Sequence, residues 1–84
     1  MKILHREEEG RVIARLARDT GTVDENEYPI YDQLGRCVIW AELWPTLLAA
    51  LKHAWPDAEV IELADFSEAA VSGVGLMVRE KQNQ

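Results

Sequence analysis

The sequence is short of the residues from which many functional sites are built. It has one cysteine, Cys37, and two histidines among 84 residues. A single cysteine cannot form an intramolecular disulfide, which is typical of a protein from a reducing compartment. The chain also lacks the C-x-x-C and H-x-x-x-H spacings that commonly hold zinc. The composition therefore predicts neither a metal site nor a cofactor.

Long hydrophobic runs are also missing. No stretch approaches the roughly 18 apolar residues that a membrane span requires. The N-terminal segment MKILHREEEG has no apolar run behind its lysine, so it is not typical of a secretory signal. We expect one cytoplasmic domain over residues 1–84, with no membrane contact. A homodimer would bury more apolar surface than a core this small can bury alone.

Basic residues are scarce, with nine Lys and Arg against 15 Asp and Glu and a net charge of −6. The imbalance is uneven, since residues 1–18 carry +2, residues 19–36 carry −4 and residues 37–78 carry −5. An acidic chain repels phosphate backbones, which predicts no direct binding of nucleic acid. Its field favours a basic partner protein.

Few residues could support catalysis. Cys37 could act as a nucleophile only with His5 or His53 held at hydrogen-bond distance, and no local motif brings them together. The tripeptide DTG, from Asp19 to Gly21, also occurs in aspartic proteases, where it follows an apolar strand. Here an arginine precedes it. We predict that the protein is not an enzyme.

The first segment fits two structures. As a helix, HREEEGRVIARLARDTG has acidic residues early and arginines late, which suits the helix dipole. As a hairpin, KILHR and RVIARLA flank the polar turn EEEG. Gly10 would cost about 1 kcal/mol inside the helix, which favours the hairpin. In that hairpin Val12, Ala14 and Leu16 share one strand face.

The middle of the chain predicts a loop and a second hairpin. The acidic stretch DTGTVDENEYP indicates a loop over residues 19–28. In YPIYDQLGRCVIWAEL, the segment DQLG predicts a turn, because Asp starts turns and Gly accepts positive φ at their ends. Along the strand that follows, Trp40 shares a face with Val38, while Cys37 and Ile39 share the other.

A helix is predicted over about residues 45–55. Pro45 suits its first turn and Pro56 ends it. An apolar stripe runs between the two prolines and is predicted to be buried, with Trp55 in the core. Its members are Leu47, Leu48, Leu51, Ala54 and Trp55.

Two further strands follow, in DAEVIELADF and VGLMVREK, and KQNQ at 81–84 is predicted to be a frayed tail. The whole pattern indicates an α+β two-layer domain. It has a mainly antiparallel sheet of about four to six strands, with one principal helix packed on one face.

The segments ALKHAWPDAEV and SEAAVSGV resemble the middle of the DNA-damage-inducible protein I family, in which a helix ends in aromatic-Pro-Asp before a strand. The resemblance implies an acidic protein that binds a recombinase filament. It covers under half of the chain, and the acidic C-terminal helix of that family has no counterpart in this sequence. No residue roles are carried over from the family.

The tryptophans and carboxylates are the candidate partner-binding residues. Trp40 and Trp44 bracket the corner between strand and helix, and the pattern leaves open whether they face the core or another protein. The leading hypothesis is a non-enzymatic protein–protein interaction module that self-associates. The alternative is an acidic inhibitor that blocks a nucleic-acid-binding protein. It requires the carboxylates to form one stripe, and the candidates are Glu59, Glu62, Asp65 and Glu68, with Asp24, Glu25 and Glu27 of the loop.

Overall fold

The computed structural model describes residues 1–67 and 75–80. The elements, in chain order, are β1 (Lys2–Glu8), β2 (Arg11–Val23), β3 (Pro29–Trp40), a 3-10 turn (Ala41–Leu43), α1 (Trp44–Ala54), β4 (Glu59–Ser67) and β5 (Gly75–Glu80). The strands lie in the order β1-β2-β3-β5-β4, and β4 pairs with β1 to close a small barrel. Only the β1–β4 pairing is parallel among the described strands. The predicted α+β class, mainly antiparallel with one principal helix, is confirmed.

The N-terminal segment is a hairpin, as the sequence favoured. β1 and β2 pair from Lys2 with Ala17 to Glu8 with Arg11, and two residues connect them. Those residues, Glu9 and Gly10, have φ values of 53° and 76°. Positive φ at both positions is the type I′ turn, whose twist matches that of antiparallel strands.

The loop predicted over residues 19–28 is shorter in the structure. β2 continues to Val23, which pairs with Pro29, so the connection covers only residues 24–28. The ladder is irregular between Asp19 and Thr22, where Gly21 has a φ of 77°. Both faces of this part of β2 are exposed, so the strand lacks the apolar alternation that marks strands in a sequence.

The turn predicted at DQLG is wrong, because β3 runs through it without reversing. Gln33 pairs with Ala17 and Gly35 pairs with Leu16, which leaves Leu34 as a bulged residue. β2 is long enough to pair with both halves of β3, so the extra residue is absorbed without a chain reversal. Gly35 also lacks the positive φ that a turn would have required.

The core occupies the closed end of the barrel. It consists of the buried side chains Leu4, Ala17, Tyr31, Leu63, Leu76 and Val78. At this end β1 pairs with β4 over Lys2–His5, and β3 pairs with β5 over Ile30–Asp32. Beyond these short ladders, β1, β2 and β3 continue together as a three-stranded sheet that extends out of the barrel. The other end of the barrel is therefore open in the described part of the chain.

The helix lies on the outer face of this sheet, where Val12 and Ala14 are buried, but its own side chains are only partly covered. No residue of α1 is buried. Side chains of α1 and of the β2–β3 ribbon line a shared groove of about 200 Å³, which includes Leu47, Leu51, Leu16 and Cys37. Trp55 also lines the groove and is 37% exposed, so its prediction as a core residue is wrong. Helical periodicity identifies the side that faces the sheet, but it does not determine how closely the two pack.

The last two strands follow their predicted alternation. Leu63 is buried in β4 and its neighbour Glu62 is exposed, while Leu76 and Val78 of β5 are buried. The predicted frayed tail at 81–84 lies outside the described residues, as does the small-residue connection over 68–74. Residues 1–67 and 75–80 contain no helical segment that could span a bilayer.

Candidate functional site

The two candidate tryptophans lie on opposite faces of the extended sheet. Trp40 ends β3 opposite Arg11, and in the register it shares a face with Val38 and Ile13. This face continues the interior of the barrel, as the same alternation places Leu4 of β1 in the core. Trp44 begins α1 and lies on the outer face, against His5. They therefore cannot form one contact surface with the same face of the sheet.

Ile13, Val38 and Trp40 form an apolar strip at the open end of the barrel, here called the Trp40 strip. Trp40 is 60% exposed and Val38 is 47% exposed, and Ile13 is half-buried directly across from Val38. The Ala41 amide donates to the Gly10 carbonyl at 2.9 Å, which anchors the end of β3 beside the first hairpin turn. The strip therefore lies on regular, hydrogen-bonded strands, and its side chains are exposed to solvent.

The same part of β3 offers a strand edge. From Gln33 to Trp40, β3 pairs with β2 on one side, and no other described strand pairs with it. Backbone N–H and C=O groups on such an edge are available to another strand. Arg36 is the one charged residue in this segment, so the edge has little of the charge that usually discourages pairing between chains.

Trp44 forms part of a cleft on the other side of the sheet. Its ring centroid lies 5.0 Å from that of His5, with the planes inclined at 35°. The cleft measures about 770 Å³ and is called here the β1–β4 cleft; it is lined by His5, Arg6, Glu7, Glu8, Val12, Trp44, Glu62, Leu63 and Ala64. Burial lowers the pKa of His5, and the nearby Glu62 carboxylate partly opposes that shift.

The candidate carboxylates are divided between the faces of β4. Glu59 forms an ion pair with Lys2, and its hydrogen bond is the main reason that the pKa of Lys2 is raised. Glu62 lies three residues further along the strand, across from His5. Successive strand residues alternate in direction, so Glu59 and Glu62 point to opposite faces. The backbone of Asp65 pairs with that of Arg79, and Glu68 lies outside the described residues.

One carboxylate of the acidic loop is hydrogen-bonded within the loop itself. The Asp24 carboxylate accepts hydrogen bonds from the backbone N–H groups of Asn26 and Tyr28, at 2.9 and 2.8 Å. This arrangement closes the loop as an Asx turn. Asp24 therefore has a local structural role, while Glu25 and Glu27 remain exposed.

Cys37 and His5 are not brought to hydrogen-bond distance in this geometry. His5, Ala14 and Cys37 lie in one row across three adjacent strands, so His5 and Cys37 are about 10 Å apart at the usual strand spacing. That distance is too long for a base to take the thiol proton. The Asp19 carboxylate of the DTG tripeptide accepts the Gly21 N–H at 2.8 Å and thereby shapes the irregularity in β2. No cluster of metal-ligating side chains occurs among residues 1–67 and 75–80.

The β1–β4 cleft is the feature that sequence reasoning missed. It depends on a parallel pairing between strands 57 residues apart, and no local pattern in either strand identifies its partner.

The chain matches no protein-family model, no curated protein and no solved structure.

Proposed function

We propose that this protein is a non-enzymatic protein–protein interaction module that self-associates through the edge of β3 and the Trp40 strip. The observation that carries the proposal is the 60% exposure of Trp40 at the end of a regular strand. Large aromatic side chains are the residues that most often dominate binding at interfaces. Covering Trp40 and Val38 would remove an apolar surface from water that the chain alone leaves exposed.

A second copy suits this edge better than an unrelated partner because the edge is self-complementary. Two identical strands related by a twofold axis pair in the antiparallel direction, and each supplies the same backbone donors and acceptors. The segment from Gln33 to Trp40 has only one charge, on Arg36. Two acidic molecules can therefore meet along this edge without placing their carboxylates in contact.

The acidic-inhibitor alternative has weaker support. It requires one continuous acidic stripe, whereas Glu59 and Glu62 point to opposite faces of β4 and Glu59 is paired with Lys2. A single exposed thiol without a disulfide suits a reducing, cytoplasmic location, and we include that location in the proposal.

Light scattering across a range of protein concentrations tests self-association. We expect a monomer–dimer equilibrium, with the Trp40→Ala variant shifted strongly towards monomer. Val23→Ala is the matched control, because Val23 is 57% exposed but lies at the far end of the β2–β3 ribbon. A monomer at every concentration, or equal weakening by both substitutions, would contradict the proposal.

Chemical cross-linking tests whether β3 is the contact. Cys37 is the only cysteine and is exposed near the middle of this edge. Antiparallel pairing centred there brings it close to Cys37 of the partner subunit. We expect a short bismaleimide to trap wild-type dimers and to trap few with Trp40→Ala. Dimers that are seen by light scattering but are not cross-linked would place the interface elsewhere.

A further inference from the structure

The β1–β4 cleft forms where two parallel strands separate. Their ladder begins at Lys2 with Glu59 and ends at His5 with Glu62. Beyond that point β1 continues along β2 to Glu8, and β4 continues along β5. Each strand thus keeps a partner on its far side, while the sides that face each other diverge. Among the described residues, no strand lies between them.

The walls and the interior of this cleft differ in chemistry. The interior is apolar where Val12, Leu63 and Trp44 line it. Three carboxylates lie among the lining residues, on Glu7, Glu8 and Glu62. Arg6 is the only lining residue with a full positive charge, and it donates to Glu8 at 2.9 Å. The lining is therefore net negative around an apolar interior.

We propose that the β1–β4 cleft binds an extended, positively charged peptide segment of another protein, which enters as an added strand between β1 and β4. Strand addition uses main-chain hydrogen bonds for affinity and side-chain contacts for specificity. Side chains on one face of the added strand approach Leu63 on the barrel side. Basic side chains on its other face reach Glu7 and Glu62, which lie on the same face as Trp44. This site is separate from the Trp40 strip, which lies on the other face of the sheet.

The size and shape of the cleft favour a peptide. A volume of about 770 Å³ would also admit a compact small molecule. A compact ligand, however, would leave the strand edges at Glu7, Glu8, Leu63 and Ala64 without main-chain partners along the cleft. An extended peptide can form main-chain hydrogen bonds with both edges. Neighbouring strands in a sheet lie about 4.8 Å apart, and the backbones of all strands present donors and acceptors at the same spacing.

Calorimetry with defined peptides tests the proposal. The probe is an eight-residue peptide of alternating lysine and valine, and its counterpart alternates glutamate and valine. We expect the lysine peptide to bind and the glutamate peptide not to bind. A third peptide, with the lysine sequence but with every second backbone amide N-methylated, should bind at least about tenfold more weakly, since it cannot donate along one edge. Equal affinity of the methylated peptide would show binding by charge alone and would overturn the proposal.

Substitutions locate the binding on the protein. Glu7→Gln and Glu62→Gln should each weaken the lysine peptide about two- to fivefold, the range expected for partly exposed ion pairs. Glu25→Gln is the matched control, because it makes the same change in net charge on the exposed loop. Equal effects of all three substitutions, or no binding of the lysine peptide, would overturn the proposal.

The test is independent of self-association. Repeating the titration with the Trp40→Ala variant measures the cleft without the β3 contact. Unchanged peptide affinity in that variant supports a separate site. Loss of binding in that variant alone, with the protein still folded by circular dichroism, would assign the peptide to the β3 edge and would overturn the assignment to the cleft.

Discussion

The imidazole of His5 stacks at a tilt on the indole of Trp44, with centroids 5.0 Å apart and an angle of 35° between the planes. The contact joins the middle of β1 to the first residue of α1. It ties the N-terminal end of the helix to the sheet. The indole shields one side of the imidazole from water. Placing a charge on His5 therefore costs more free energy here than it does in water.

The stability of the protein should fall as the solution is made acidic. Burial lowers the pKa of His5 below its ordinary value of 6.5, so the unfolded chain takes up a proton before the folded chain does. The stabilisation from neutral His5 is therefore complete above about pH 6.5 and is lost as pH falls through the folded pKa. Urea unfolding monitored between pH 8 and pH 5 measures this slope.

Two histidine variants test whether His5 causes this dependence of stability on pH. His5→Gln should flatten the pH dependence between pH 7 and pH 5, since it removes the group that titrates beside Trp44. His53→Gln, on the exposed end of α1, is the matched control, because it makes the same substitution away from Trp44. A slope that survives His5→Gln would contradict its assignment to His5.

The first hairpin turn provides a pair of substitutions with opposite signs. Gly10 has a φ of 76°, so Gly10→Ala should destabilise the protein by about 1 kcal/mol. Glu9 has a φ of 53°, and Asn tolerates that conformation better than Glu, so Glu9→Asn should stabilise by about 0.5 kcal/mol. Thermal unfolding distinguishes them, and a loss of stability in Glu9→Asn would contradict the assignment of a type I′ turn.

Leucines of the barrel and of the helix should differ in their contribution to the free energy of unfolding. Leu63 is buried at 2% exposure, so Leu63→Ala should cost about 2–5 kcal/mol through lost burial and a residual cavity. Leu48 of α1 is only half-buried, so Leu48→Ala should cost about 1 kcal/mol. Equal costs in urea unfolding would mean that α1 packs more tightly than the structure shows.

Hydrogen exchange should show the same difference between the barrel strands and the helix. The amides of β2 are paired on both sides at the closed end of the barrel, beside the buried Ala17. They should exchange only by global unfolding. The amides of α1, which has no buried residue, should exchange faster by local opening. Similar protection in both elements would contradict the loose packing of the helix.

Local patterns were sufficient for most elements of this fold. Gly10 favoured a hairpin over a helix through residues 3–18, because glycine is costly inside a helix but suits positive φ in a tight turn. The spacing of Leu47, Leu48 and Leu51 between two prolines located the helix within one residue at each end. The alternation around Leu63 identified which β4 side chains enter the core. In each case neighbouring residues alone decide the backbone conformation.

Positions that depend on a distant partner could not be read in this way. DQLG has the composition of a turn, but the length of β2 makes it a bulge in a continuous strand. Trp55 continues the apolar stripe of α1, but it lies at the end of the helix, is exposed and is not part of the barrel core.

The sequence alone thus determined the α+β class, the helix and the alternation of the last two strands, and it favoured the first hairpin, since backbone propensity and side-chain periodicity act over a few residues. Only the tertiary structure decided that Trp40 and Trp44 lie on opposite faces and that His5, Trp44 and Glu62 line one cleft. The physical reason is that strand pairing joins residues far apart in the chain. Which strands pair depends on how much apolar surface the whole barrel buries, and no single segment of the sequence specifies that.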